Sequence, residues 1–404
     1  MLIGNALVGQ SGGPTSAINA TLSGVIKQAG KTENIKTLYG MVNGIEGFLK
    51  EKIIDLTYLY NDNEKLSTLE VTPASALGSC RWKLPTVRDN LDFYKGLFDL
   101  FKKYDIRYFF YIGGNDSMDT VLKLSEYSTH SDYKIQIIGV PKTIDNDLPI
   151  THHTPGFGSA AKFISTTIKE IATDCAVYTK KAVTIVELMG RDAGWLTASA
   201  GLPKYFGYLG ADLIYLPERS FDDDKFIEAV KKCLEEKPNV VVAVSEGICY
   251  PNGKYVGEGK QNGVIDEFGH KYLAGTARVL EMLVKTSIGC KVRSVELNLP
   301  QRCSAHILSK TDIDESVRLG KHAVKLGLNK SGVMLVYKVK NGKTSIGYVD
   351  IRKVANQVKR VPNEFISKEG NNVTPACMEY IAPLILGEPK IKYENGIPVH
   401  LSLR

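Results

Sequence analysis

No stretch of this 404-residue chain stays apolar for the roughly 20 residues that a membrane-spanning helix requires. The opening Met1-Leu2-Ile3-Gly4-Asn5-Ala6-Leu7-Val8 carries no basic segment ahead of its apolar run, so it does not read as a signal peptide. Cysteine is sparse: the seven at 80, 175, 233, 249, 290, 303 and 377 form no CxxC pair and are odd in number. That pattern argues against a disulfide scaffold or a zinc site and for reduced thiols. Neither GxGxxG nor GxxxxGK[ST] occurs, which removes the dinucleotide fingerprint, and with it a dehydrogenase, and also the P-loop. There is no low-complexity tract and no repeat of 20–50 residues. Like charges nowhere run long enough for a nucleic-acid arm, and the surplus of +7 (51 basic against 44 acidic residues) suits small anionic substrates. These absences leave the expectation of a soluble cytoplasmic protein with neither a membrane nor a nucleic-acid partner. Its length suits two domains, or one large α/β unit with additions.

What is present is an alternation of short β-branched runs and amphipathic segments. Strands are expected at 6–9, 106–112, 134–140, 181–188, 211–216, 239–244 and 293–302. Helices are expected over about 91–104, 159–173, 222–236 and 273–285, and on the 18, 22, 25, 26, 29 apolar stripe that follows the first strand. Residues 61–65 read as a polar meander, 251–271 as a Gly-rich surface loop, and 332–350 as a hairpin turning at Asn341-Gly342. The polar sequence beyond it, to Arg404, has little pattern. Strand–helix alternation of this kind predicts a doubly wound α/β architecture, in which ligands bind at the carboxyl ends of strands.

Those ends are where the unusual residues gather. Pro141 cannot donate to a sheet ladder, so the strand before it stops there and Lys142-Thr143-Ile144-Asp145-Asn146-Asp147 forms a loop. One cation, one hydroxyl and two carboxylates stand within six residues. The loop reads either as a solvated turn or as a site acting on a phosphate-bearing substrate, with Asp145 the candidate general base and Lys142 the candidate phosphate clamp. Gly12-Gly13, between the first strand and its helix, makes a candidate phosphate cradle. Gly113-Gly114-Asn115-Asp116-Ser117 repeats the arrangement with a carboxylate in it. One reading is helix capping. In the other, one of Asn115 and Asp116 serves a magnesium ion and its neighbour selects the phosphate donor. Arg81 reads as a phosphate contact or as a solvated surface group. Met189-Gly190-Arg191, Glu246 and Arg302 also fall at expected strand ends, and the two histidines at 152–153 lack metal spacing and read as loop and capping residues. The shared placement points to phosphoryl transfer in a cleft.

Over about residues 3–310 these motifs resemble the phosphofructokinase family: the Ser11-Gly12-Gly13 turn, Gly113-Gly114 with Ser117, Pro141 to Asp147, Met189-Gly190-Arg191, Ser245-Glu246-Gly247 and Gln301-Arg302. The resemblance implies two Rossmann-like domains with the active site between them. The phosphoryl-donor domain would comprise 1–156 and 306–358, and the fructose 6-phosphate domain 157–305 and 359–404. It implies magnesium-dependent, reversible transfer to the 1-hydroxyl of fructose 6-phosphate in a homodimer or homotetramer. ATP-dependent members carry glycine at the positions of Asp116 and Lys142, whereas the pyrophosphate-dependent branch carries Asp and Lys, as here. A carboxylate about 4 Å from the α-phosphate of ATP would cost on the order of 4 kcal/mol at an effective dielectric of 20, nearly a thousandfold in binding. The donor expected is therefore pyrophosphate. The alternatives are the ATP-dependent enzyme and a non-catalytic regulatory subunit, which would be expected to have lost parts of the site.

By the same resemblance Asp145 takes the sugar proton, Thr143 holds the transferring group and Asp147 supports the metal or its waters. Gly13, Arg81 and Lys142 meet the diphosphate. Thr143, Ile144, Asp145, Met189, Gly190, Arg191, Glu246 and Arg302 line the sugar site. Arg293 reaches the sugar 6-phosphate, often across a subunit interface. Departures are Asn115 where an Asp is usual at the metal, Asn298-Leu299-Pro300 where a Gly-His-Ile or Gly-Tyr-Ile run is common, and Lys181-Ala182 where some members have an arginine.

Overall fold

The computed structural model describes residues 1–258 and 275–404. A seven-stranded sheet is built from β1 (Gly4–Gln10), β2 (Ile35–Met41), β3 (Ile53–Asp55), β4 (Ile106–Gly113), β5 (Gln136–Pro141), β10 (Val333–Lys340) and β11 (Lys343–Asp350). Its order is β11-β10-β5-β4-β1-β2-β3, parallel except for β3 and β11. A four-stranded sheet, wholly parallel, holds β6 (Ala182–Leu188), β7 (Leu213–Tyr215), β8 (Asn239–Ser245) and β9 (Lys291–Glu296) in the order β7-β8-β6-β9. Strands such as β8 are buried along their whole length, which is why they read as unbroken Val runs rather than as alternating patterns.

Helices cover both faces of each sheet. On the larger sheet lie α1 (Ile18–Ala29), α2 (Gly44–Leu49), α3 (Asn63–Glu70), α4 (Leu91–Lys103) and α5 (Asn115–Ser128). The chain then enters the smaller unit through α6 (Phe157–Ala176), with α7 (Trp195–Ala198), α8 (Leu202–Tyr205), α9 (Asp223–Glu236), α10 (Thr276–Ile288) and α11 (Pro300–Cys303) following, and returns through α12 (Lys310–Gly327). Residues 61–65 are not a meander: the Asp62 carboxylate caps α3 by accepting from Lys65 N at 2.9 Å, so the polar run starts a helix. The expected helix at 273–285 is found as α10, and residues 273–274, like 259–271 of the expected loop, lie outside the described residues.

Helices α1 and α12 pack closely. A Cβ on Gly24 would stand 2.2 Å from Val317 O, and one on Gly320 would stand 2.0 Å from Thr21 O. The chain after β11 is less featureless than its sequence. Val361, Ile366 and, on or beside α13 (Pro375–Ile381), Cys377, Met378, Ile381 and Leu384 join the core of the smaller unit. Leu403 then returns to the core of the larger sheet, and Leu401 N donates to Thr72 Oγ1 at 3.0 Å.

Candidate active site

In the larger sheet the chain leaves β1 toward β2 on one side and toward β4 and β5 on the other, so a crevice opens at the carboxyl ends of β1 and β4. Backbone bonds clamp these ends together: Ser11 N to Ile112 O at 2.9 Å, Gly12 N to Cys80 O at 3.1 Å and Lys142 N to Gly113 O at 2.9 Å. A Cβ on Gly13 would stand 3.3 Å from Arg302 Nη1 and 3.9 Å from Arg81 Nη2. Two guanidinium groups thus converge on bare backbone, as an anion cradle requires. Lys142 is only 2 % exposed, and its Nζ donates to Ser11 O at 2.9 Å and Gly13 O at 2.5 Å. Burial pulls its pKa down to about 7, Arg302 and Arg81 adding to the effect while Asp145 and Asp147 oppose it.

In the loop after β5, Thr143 Oγ1 accepts from Asp145 N at 3.1 Å and donates to Asp145 Oδ2 at 3.2 Å. Burial raises the Asp145 carboxyl, against Thr143, Lys142 and Arg191, and the Asp192 charge adds to the rise. Burial and then Asp145 push Asp147 up to about 7. A carboxyl raised out of its ordinary range is suited to accept a proton at neutral pH.

A hard cation would find oxygen ligands here. Asn115 Nδ2 donates to Gln357 O at 2.6 Å, while its Oδ1 is buried without a hydrogen-bond partner. That orphaned oxygen lines the same cavity as Asp145 and Asp147. Among the described residues no cluster of three His, Cys, Asp or Glu side chains forms a metal cage. The set fits magnesium, which is held by one or two carboxylates together with substrate phosphates and waters.

From the smaller sheet, the ends of β6 and β8 complete the cleft. Gly190 N donates to Glu246 Oε1 at 3.3 Å, and Ser245 Oγ donates to Gly190 O at 2.6 Å. Burial pushes Glu246 up to about 8, Gly190 N opposing. Arg191 Nε is buried without a hydrogen-bond partner. One cavity of about 420 Å³ is lined by Gly13, Arg81, Asn115, Asp116, Lys142, Thr143, Ile144, Asp145, Asp147, Met189, Gly190, Arg191, Glu246 and Arg302.

The expectations for Arg302 and His153 are corrected. Arg302 does not end a strand: β9 stops at Glu296, and Pro300 opens the short helical turn α11 that carries Arg302 into the cleft. Arg293 stays in mid-β9, outside this cavity, and lines a separate depression with Lys181, Lys291 and Tyr178. His153 is no capping residue either: it is buried, with Nε2 2.6 Å from Glu315 Oε2. The sequence reading also missed residues. Lys83, Ser117, Asp192, Ala193, Asn356 and Val358 line the cavity, and buried Gln301 accepts from Met189 N at 3.2 Å. Lys83, Ser117, Asp192 and Ala193 sit within two residues of flagged positions and were within reach. Asn356 and Val358 come from the unpatterned segment after β11, and nothing local marks them.

Residues 5–326 match the family model described as phosphofructokinase. The chain is 40% identical over 411 residues to the pyrophosphate–fructose 6-phosphate 1-phosphotransferase of Xanthomonas campestris, covering 100% of this chain and 97% of that one. It is 38% identical over 406 residues to the protein of the same name from Methylococcus capsulatus, covering 99% and 96%. The crystal structure of pyrophosphate-dependent phosphofructokinase from Nitrosospira multiformis superposes with a TM-score of 0.88 at 37% identity, over 99% of this chain and 96% of that one. Cleft, fold and sequence thus agree, and this chain belongs to the phosphofructokinase family.

Proposed function

We infer that this chain is a phosphotransferase that moves a phosphoryl group reversibly between pyrophosphate and the 1-hydroxyl of fructose 6-phosphate, giving fructose 1,6-bisphosphate. The observation that carries the choice of donor is the presence of Asp116 and Lys142 in one cavity with Asp145. A carboxylate there opposes the extra phosphate of a nucleotide, and a buried ammonium supplies charge to a donor that has no nucleoside to anchor it.

The residue roles proposed are those the resemblance implies, and the geometry supports them. The diphosphate lies over Gly13 between Arg81, Arg302 and Lys142, and its charge restores full protonation to the lysine. Met189, Gly190, Arg191 and Glu246 hold the sugar phosphate, with Arg302 placed where donor and acceptor meet. Asp145 accepts the proton of the 1-hydroxyl, and Thr143, bonded to Asp145, steadies the group in flight. Asn115 Oδ1 and Asp147 are the residues that would hold magnesium, which when bound neutralises the donor's charge. Arg293, remote from its own chain's cavity, would meet a sugar 6-phosphate only in a neighbouring subunit, in keeping with a homodimer or homotetramer. The division into a donor unit (1–156, 306–358) and a sugar unit (157–305, 359–404) belongs to the same proposal. It is supported by the two sheets and by the packing of residues 361–384 on the smaller one, whereas Leu401 and Leu403 pack on the larger. No helix among the described residues is long and apolar enough to cross a membrane, which is compatible with a cytoplasmic enzyme.

The test is an initial-rate comparison of pyrophosphate, ATP and GTP with fructose 6-phosphate. Turnover with pyrophosphate alone is expected, and Asp116→Gly should open a measurable ATP rate while Lys142 keeps the switch incomplete. Equal turnover of wild type with ATP would overturn the donor assignment.

A further inference from the structure

Lys359 lies on the connection between the two sheets, outside the cavity, and all three hydrogens of its ammonium are taken. They go to Asn146 Oδ1 at 3.1 Å, Thr151 O at 3.1 Å and His152 O at 2.9 Å. Its backbone is engaged as well: N donates to Asp147 O at 2.6 Å, and O accepts from Trp195 Nε1 at 3.0 Å. Two residues on, Val361 N donates to Glu218 Oε1 at 2.9 Å, the same oxygen that accepts from Gly194 N at 2.9 Å. Residues 359–361 therefore tie the loop of Asp145 and Asp147 directly to the Met189–Trp195 loop of the other sheet.

Asn146 is the joint of this arrangement. It stands between the two aspartates with φ at 53°, a left-handed conformation that Asn tolerates better than other residues bearing a side chain. Its side chain is fixed at both ends, Oδ1 by Lys359 and Nδ2 by donation to Tyr380 Oη at 2.9 Å. Reversal of φ at this one residue would redirect the carboxylates on either side of it.

We propose that Lys359 is a positioning residue for phosphoryl transfer: it locks Asn146 in its left-handed turn, holds Asp145 and Asp147 to the cleft and registers them against the sugar-side loop. This rests on the proposed reaction, with Asp145 as its base. Misplacement by about an ångström costs on the order of a hundredfold in rate, so the effect belongs in kcat and not in sugar affinity.

The experiment takes the full-length wild type, Lys359→Met, Asn146→Gly and the double variant, with rates normalised to the folded fraction from thermal melts. Wild-type turnover with pyrophosphate and its loss in Asp145→Ala come first, and failure there counts against the reaction itself. Given both, Lys359→Met is expected to lower kcat by about 10- to 100-fold with KM for fructose 6-phosphate within about threefold. Asn146→Gly keeps the lysine and its two carbonyl acceptors, and so reports on the link even if Lys359→Met folds poorly. It should lower kcat in the same direction, and the double variant should be no worse than the poorer single. A kcat within twofold of wild type in Asn146→Gly, or losses that multiply in the double variant, would overturn the proposal.

Discussion

Asp145 and Glu246 are both partly buried acids, and desolvation raises both, yet their surroundings prepare them for different work. Asp145 shares a hydrogen-bonded turn with Thr143 and faces the Lys142 and Arg191 charges, which favour its ionised form. Asp145→Ala is therefore expected to cut kcat by roughly 10²–10⁴-fold, the usual worth of a positioned base, with a smaller change in KM for the sugar, as steady-state kinetics will report. The Glu246 carboxylate accepts from Gly190 N, and burial outweighs that bond and raises its pKa to about 8. Its folded pKa lies above its unfolded one, so the native state holds the proton more tightly. The stability this contributes is complete below the unfolded pKa and is lost as pH climbs through about 8. Glu246→Gln, which cannot ionise, should show a melting temperature that gains on wild type between pH 5 and pH 8.5. A constant difference across that range would count against a desolvated, reluctantly ionised Glu246.

The elements were legible to the degree that their own residues determine them. Strands buried on both faces need unbroken apolar runs, and β4, β5, β6 and β8 announce themselves that way. Loops at their carboxyl ends stood out because Gly, Lys and Asp crowd positions that caps alone do not require. The errors fell where a neighbour decides. Arg302 looked like a strand end because Leu297 and Leu299 continue the alternation, but Asn298 turns left-handed at φ 39° and Pro300 starts a helix. Lys359 could not be found at all, since each of its acceptors is more than 200 residues distant in sequence. The α1–α12 contact also escaped notice, though Gly24 and Gly320 are what let the two backbones approach so closely. Gly320→Ala would press a methyl to 2.0 Å from Thr21 O. A loss of about 1–3 kcal/mol in a urea melt is expected from such overpacking, with kcat unchanged because neither helix reaches the cleft.

At the scale of the whole molecule, the chain crosses between the sheets several times. Residues leave the larger sheet through α6, return through α12, pass out again along 359–384 and end with Leu403 against the core of the larger sheet. Leu403→Ala should cost about 2–3 kcal/mol, near the lower range for a buried leucine that retains some exposure. A single cooperative transition is expected to persist at the lower midpoint, read by circular dichroism and intrinsic fluorescence together. Two separated transitions would mean that the sheets melt independently and that the crossings do not couple them.

The way the cleft is shared between two sheets has a bearing on how such an enzyme can change. Apart from Arg81 and Arg302, the groups assigned to the diphosphate hang from β1, β4 and β5, and those assigned to the sugar alone hang from β6 and β8. A lineage could revise the size or charge of the accepted alcohol by altering the smaller sheet's loops, leaving the energy source untouched, and the reverse holds equally. Asp145, in its proposed role of reaching from one side to a molecule held by the other, would be the fixed point around which either half can be rewritten.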